Sequence, residues 1–339
     1  MRIAASARVL TVILLAACSG DRLTSVAKVS PPQKPLGDIG GLLLNHSGSK
    51  ATVLTVSAIN DSSVVVGSLT DGSPQVATIW SPPDFKPTAL PLPGDTGISF
   101  GTRIANDGTV LGQICDSLNQ HCRWVTWKNG TITPVTPQGD ARGICPCDGQ
   151  VIVGGLMVDD VQHAVVWTHG KVLDVGVPPG FKSAEFTAVD EGFMAGAAVD
   201  TRGGLVPFRW SPQFGFQILP TLGHALDVNS SGTVLVDDGR VYPLGGSPIG
   251  FPSDLETGAF YLGTALNDSG WVAGVFQFAG DDELPPPQAG AWNIKTGKVV
   301  PSDAAFGSQA IDINNAGVEI GQGDENGSEG WVSSICCGG

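Results

Sequence analysis

Seven short hydrophobic runs, six of them ending in glycine, recur along the chain at nearly constant spacing, and no other feature restricts its fold as strongly. They are Val64-Val65-Val66-Gly67, Val110-Leu111-Gly112, Val151-Ile152-Val153-Gly154, Phe193-Met194-Ala195-Gly196, Val234-Leu235-Val236-Asp237, Trp271-Val272-Ala273-Gly274 and Val318-Glu319-Ile320-Gly321. The steps between their last residues are 45, 42, 42, 41, 37 and 47. A fixed period of this size marks a repeat architecture in which one supersecondary unit is copied along the chain.

Each run follows a turn rich in Asn, Asp and Gly: Asn60-Asp61-Ser62, Asn106-Asp107-Gly108, Cys147-Asp148-Gly149, Asp190-Glu191-Gly192, Asn229-Ser230-Ser231-Gly232, Asn267-Asp268-Ser269-Gly270 and Asn314-Asn315-Ala316-Gly317. An Asx side chain can bond the backbone two residues on, and glycine supplies the positive φ that closes a hairpin. In six of seven units a strand carrying tryptophan follows, at Trp80, Trp127, Trp167, Trp210, Trp292 and Trp331. A short strand closing in Pro and Gly comes next, as in Leu90-Pro91-Leu92-Pro93-Gly94. Each unit of about 40–45 residues therefore holds four strands, the size of one propeller blade. A single sheet cannot bury both faces, so neighbouring Trp and Val faces are expected to stack. The prediction is an all-β chain forming one β-propeller of seven blades over residues 36–335, or of six if unit five is absorbed.

Unit five lacks the tryptophan strand or fuses it through Asp237-Asp238-Gly239, and a short or distorted blade is expected there. Unit seven stops soon after Trp331 without a final strand. The segment Pro35-Leu36-Gly37-Asp38-Ile39-Gly40-Gly41 reads as an orphan copy of that strand. An N-terminal strand is thus expected to complete the last blade and leave no exposed edge.

The pattern resembles the HAF-repeat proteins, a set of bacterial extracellular repeat proteins with an Ile-Asn-x-x-Gly turn, a Val-Val-Gly strand, a His-Ala-x-x-Trp strand and a Leu-Gly-x-x-Gly-Gly tail. Here these stand as Ile59-Asn60-Asp61, Val65-Val66-Gly67, His163-Ala164-Val165-Val166-Trp167 and Leu36-Gly37-Asp38-Ile39-Gly40-Gly41. The resemblance spans about residues 36–332, although only unit three keeps the His. It implies the repeat fold and carries no activity with it.

The N-terminus reads as a secretory signal. Arg2 and Arg8 precede the apolar run Val9–Ala17, which is too short to span a bilayer. It ends at Leu15-Ala16-Ala17-Cys18, which resembles a bacterial lipobox. Residues 1–17 are then a lipoprotein signal peptide and Cys18 the lipidated first residue of the mature chain. Ser19 in place of Asp points to the outer membrane in a Gram-negative source, and residues 18–35 read as a flexible tether with Pro31, Pro32 and Pro35. Loss of Arg2 and Arg8 leaves 16 basic against 32 acidic residues, a net charge of −16. Such a surface repels phosphate backbones and argues against nucleic-acid binding. The 47 Gly and 24 Pro argue against a helical domain.

Six cysteines remain after Cys18, an even number suited to an oxidising compartment. Cys115 and Cys122 flank the expected hairpin loop of unit two and are placed to form a disulfide. Cys145 with Cys147, and Cys336 with Cys337 in the tail 336–339, allow either local bridges or longer links. No Cys-x-x-Cys pair with matching His spacing suggests zinc, and no Gly-x-Ser-x-Gly elbow suggests a hydrolase. The five His are scattered, and His163 belongs to the repeat. Asp159-Asp160, Asp281-Asp282-Glu283 and Asp324-Glu325 could gather oxygens for Ca²⁺ but lack EF-hand spacing, so they read as solvated loops without a cofactor.

These features predict a non-enzymatic envelope protein, held at the membrane by its N-terminal lipid, whose propeller binds a protein or glycan partner. The rival reading is an extracellular polysaccharide- or peptide-cleaving enzyme, its carboxylates converging on the propeller mouth from separate blades. A third, by fold analogy alone, is an outer-membrane assembly scaffold.

Overall fold

The computed structural model describes residues 42–43, 52–71, 74–94, 97–116, 118–135, 139–252, 260–277, 288–302, 308–323 and 330–335. The expected signal peptide, Cys18, the expected tether, the Leu36–Gly41 motif, Asp281–Glu283, Asp324–Glu325, Cys336 and Cys337 lie outside those residues. Among the described residues every regular element is a strand, and the strands form seven four-stranded antiparallel sheets. The fold is a seven-bladed β-propeller.

Six blades use four consecutive strands each. Their innermost strands are Thr52–Ile59, Ile98–Ile104, Asp140–Ile144, Ser183–Asp190, Ala225–Val228 and Phe260–Leu266, in blades 1 to 6. Blade 7 is built from Gln309–Ile313, Val318–Gln322 and Gly330–Ser334, and its outer strand is Leu42–Leu43 from the other end of the chain. Leu42 pairs with Val332 and Leu43 with Trp331. The expected N-terminal closure is therefore present, and the closing strand follows directly on the Leu-Gly motif.

The glycine that ends six of the seven runs has a steric cause. In all seven blades the inner strand shifts register once, as between Val56 and Ala58 or Phe186 and Ala188. That bulge pushes a backbone carbonyl toward the second strand. A Cβ on Gly67 would stand 1.9 Å from the Thr55 oxygen, and one on Gly196 2.0 Å from the Glu185 oxygen. Blade 5 puts Val236 there, opposite Ala225.

The apolar residues gather into seven clusters, each spanning two adjacent blades rather than one central core. Trp127 of blade 2 packs with Val66 and Ala77 of blade 1, and Trp292 of blade 6 with Leu235 and Val241 of blade 5. Trp80 of blade 1 reaches Ile320 and Val332 of blade 7, so the same contact closes the circle. Trp80, Trp127 and Trp292 are fully buried, Trp167 and Trp331 nearly so, and Trp210 is half-buried against Phe186.

Two blades depart from the repeat. Blade 5 is short but keeps all four strands, including the third, Arg240–Tyr242, which the sequence pattern marks as missing or fused. Tyr242 faces Val234 as Trp80 faces Val65 and Trp127 faces Val110, so a tyrosine replaces the repeat tryptophan. In blade 7 Trp331 faces Gly321 instead, and Ser333 lies opposite Glu319 where the other blades pair an aromatic with an apolar residue. Trp331 is thus two residues out of step with its counterparts.

Candidate functional site

The Asx turns stand at the inner ends of the blades and do more than close hairpins. The Asn60 Oδ1 accepts from the backbone N–H of Ser62 and Val64, which caps its own turn. Its Nδ2 donates to the Ala105 carbonyl of the next blade. Asn229 donates likewise to the Asn267 carbonyl, Asn267 to that of Asn314, and Asn314 to that of Asn60. Blades 5, 6, 7, 1 and 2 are therefore laced by one directional chain of buried amide bonds. A second ring lies above it, one residue on. The Asp268 N–H donates to Asn315 Oδ1, the Asn315 N–H to Asp61 Oδ1, and the Asp61 N–H to Asn106 Oδ1. The sequence pattern carries only the hairpin role of these turns, because a single chain read alone does not show which carbonyl a side-chain amide meets.

The remaining blades solve the same joint differently. Blade 3 has Cys145 at the position of the capping Asn in blades 1, 5, 6 and 7, and a disulfide to Cys147 stiffens the turn. The bridge between those two cysteines is therefore local. Cys115 and Cys122 are also bridged, with Cα atoms 4.0 Å apart, as their positions predicted. Blade 4 has Asp190 in the Asn position. Its tie to blade 5 comes instead from Thr187 Oγ1 to the Ala225 carbonyl and from the buried Arg209, which donates to the carbonyls of Gly232 and Tyr242.

The turns enclose a cavity of about 220 Å³ on the propeller axis, lined by the inner strands of all seven blades. Five carboxylates line it, Asp61, Asp190, Asp227, Asp268 and Asp312, against a single cation, Arg103. Asp227 and Asp312 are equivalent residues of blades 5 and 7. Each accepts a backbone N–H from the following blade, Leu266 in one case and Ile59 in the other, and one from its own neighbour. Burial raises Asp227 to about 7 and Asp312 to about 6, opposed at both by those N–H donors and by Arg103. Asp190 is only 8 % exposed. Burial first, then the charges of Asp268, Asp227 and Glu191, lift it to about 8.

Apart from the Asx turns, the residues singled out in the sequence lie elsewhere. The tryptophans are interblade packing, and both disulfides stand in turns. His163 pairs with Asp174 at 2.9 Å at the end of blade 3, away from the axis. Asp159 and Asp160 form a tight turn with positive φ. Among the described residues no group of three His, Cys, Asp or Glu is placed to hold a metal ion. The axial carboxylates escape a sequence reading as a set because they come from five different repeats. The signal available was their shared offset, since Asp227 and Asp312 each stand two residues before the capping Asn.

No protein-family model matches the sequence, and no curated protein sequence matches it. Solved structures do. A puromycin hydrolase is 12% identical with a TM-score of 0.53, covering 81% of this chain and 50% of its own. A structure described in a study of two prolyl endopeptidases is 18% identical with a TM-score of 0.52, over 88% and 48%. An oligogalacturonate lyase in complex with manganese is 13% identical with a TM-score of 0.50, over 85% and 83%. The likeness is of fold alone. This chain spans about half the length of the first two of these structures.

Proposed function

We propose that this chain is an exported, lipid-anchored propeller of the HAF-repeat kind, tethered through Cys18 to the outer membrane of a Gram-negative cell, which binds a protein partner at its axial mouth without chemical turnover. The carrying observation is the cavity itself: contributions from seven blades converge on it, and five carboxylates face one arginine. A low-dielectric concavity of one sign attracts a positively charged segment and repels anionic glycans and phosphates. Asp227 and Asp312, which a catalytic reading would claim first, already serve as acceptors between blades.

The test is capture of the tagged, lipidated protein from detergent-solubilised envelopes, beside a chain with Asp190→Asn and Asp268→Asn. A near-stoichiometric partner that the double variant fails to hold supports the reading. Label from radioactive palmitate should enter the wild type and not Cys18→Ser.

One observation favours a second reading. Carboxyls raised to about 6, 7 and 8 stand together at one mouth, a pattern common in hydrolytic sites. Turnover of a polysaccharide or peptide by the purified chain, lost in Asp190→Asn, would replace the binding role with an enzymatic one.

A further inference from the structure

Blades 1, 5, 6 and 7 place an Asn at the end of the inner strand, and its amide is fully used in capping and in the bond to the next blade. Blade 4 places Asp190 there. Among the described residues no nitrogen or hydroxyl donates to this carboxyl, although the residue is more than nine-tenths buried and lines the axial cavity. The group whose charge acts on it most is another carboxyl of the same cavity, Asp268 of blade 6. Two carboxyls that repel each other across one cavity are relieved by a proton on one of them or by a cation between them.

We propose that Asp190 and Asp268 form a binding site for a primary ammonium group, which enters through the axial mouth. The inference rests on the axial-mouth reading above and names the chemistry that the mouth takes. On binding, the O–H bond of the protonated Asp190 carboxyl breaks and its proton passes to solvent, and the incoming –NH₃⁺ donates one N–H to each carboxylate; no other covalent bond changes.

The surroundings select this cation over others. A guanidinium binds best across both oxygens of one carboxylate. At Asp268 both are engaged, Oδ1 by the N–H and hydroxyl of Ser230 and Oδ2 by Asn315 Nδ2. A divalent metal wants several oxygens converging at short range, and no such trio is present among the described residues. A compact ammonium with three donors fits between two carboxyls from separate blades. The charged groups facing Asp190 are Asp268 from the blade 6 turn, Asp227 from the blade 5 inner strand and Glu191 in its own turn. Asp61, Asp312 and Arg103 line the rest of the cavity. Proton and ammonium compete for one place, so binding is linked to pH. With Asp190 at about 8, affinity should rise roughly tenfold between pH 7 and pH 9 and then level off, while a lysine ammonium stays charged.

The experiment is calorimetric titration of the full chain with an N-acetylated, C-amidated Gly-Lys-Gly peptide, in two buffers of different ionisation heat. Expected are saturable binding, release of close to one proton per peptide at pH 7, and no binding of the peptide with acetylated lysine. Asp190→Asn should weaken binding at least tenfold and abolish its pH dependence, with a melting temperature no lower than wild type. Butylamine supplies the second arm: equal affinity identifies a free amine as the occupant, and tighter peptide binding identifies a lysine on a protein. Equal binding of the acetylated peptide, an unchanged Asp190→Asn, no binding at tens of millimolar, or displacement by micromolar calcium chloride each overturns the proposal. Failure here with partner capture intact leaves the axial-mouth reading standing. Ammonium binding with no partner captured keeps the site and removes the protein partner.

Discussion

The side-chain amide of Asn314 donates to the backbone carbonyl of Asn60 at 2.9 Å, joining the last blade to the first across 254 positions of sequence. The same Asn314 takes the N–H groups of Ala316 and Val318 on its Oδ1. One buried side chain thus both shapes a turn and locks the ring. Asn314→Ala strands a carbonyl and two N–H groups, and should cost about 2–3 kcal/mol in urea denaturation. Asn106→Ala, at an exposed position of the outer ring, should cost less than about 1 kcal/mol.

Gly196→Ala tests the bulge. The added methyl would overlap the Glu185 oxygen at 2.0 Å, so backbone must move, and a loss of at least about 2 kcal/mol is expected. Gly130→Ala is the contrast: φ is +76° but nothing lies within 4 Å, so only the conformational cost of about 1 kcal/mol remains. Melting temperatures of the pair separate the two causes.

The interblade aromatics should rank by burial. Trp127→Ala should cost about 3–5 kcal/mol, as for other fully buried large side chains. Tyr242→Phe keeps the packing in blade 5 and removes only the bond from the hydroxyl to Asp238, at about 1 kcal/mol. A loss at Tyr242→Phe as large as at Trp127→Ala would mean that blade 5 is held by its polar edge and not by its core.

Glu319 gives stability a pH slope. It is fully buried opposite Ser333, bonds Ser302, and is pushed by burial to about 7 despite that bond. The folded chain therefore keeps a proton that the unfolded chain releases above about 4.5. The contribution is full at low pH, falls as pH rises from about 4.5 to 7, and is flat beyond. Glu319→Gln should remove this slope and raise stability at pH 8 by up to about 3 kcal/mol. Denaturation curves from pH 5 to 8 would show it, and an unchanged slope would place the titration elsewhere, with Asp190 the next group to replace.

The architecture was readable because its causes are local and repeated. A turn, a glycine opposite a bulge and a tryptophan leave the same trace in each unit. Tyr242 hid the third strand of blade 5 because an aromatic of another kind filled the pocket, and Trp331 suggested a regular blade 7 although pairing sets it two residues off. The axial site was not readable for a related reason. Its residues come one or two to a blade, and only the circular order of the blades brings Asp190 to Asp268, 78 positions further on. What a period cannot reveal is which copy has lost its usual partner, and Asp190 is distinguished by that loss alone.

The closing strand also sets a timetable. A chain synthesised N-terminus first delivers Leu42–Leu43 early, but their mates at Trp331 and Val332 arrive last. Six blades can settle in order by short-range pairing, whereas the seventh must wait for a contact nearly 290 residues long, the slowest kind to form. During that interval the edge of Gly330–Ser334 stands open to any other strand within reach. For a molecule of this shape, maturation is decided less by how fast each blade forms than by whether its first strand is still free when the last one appears.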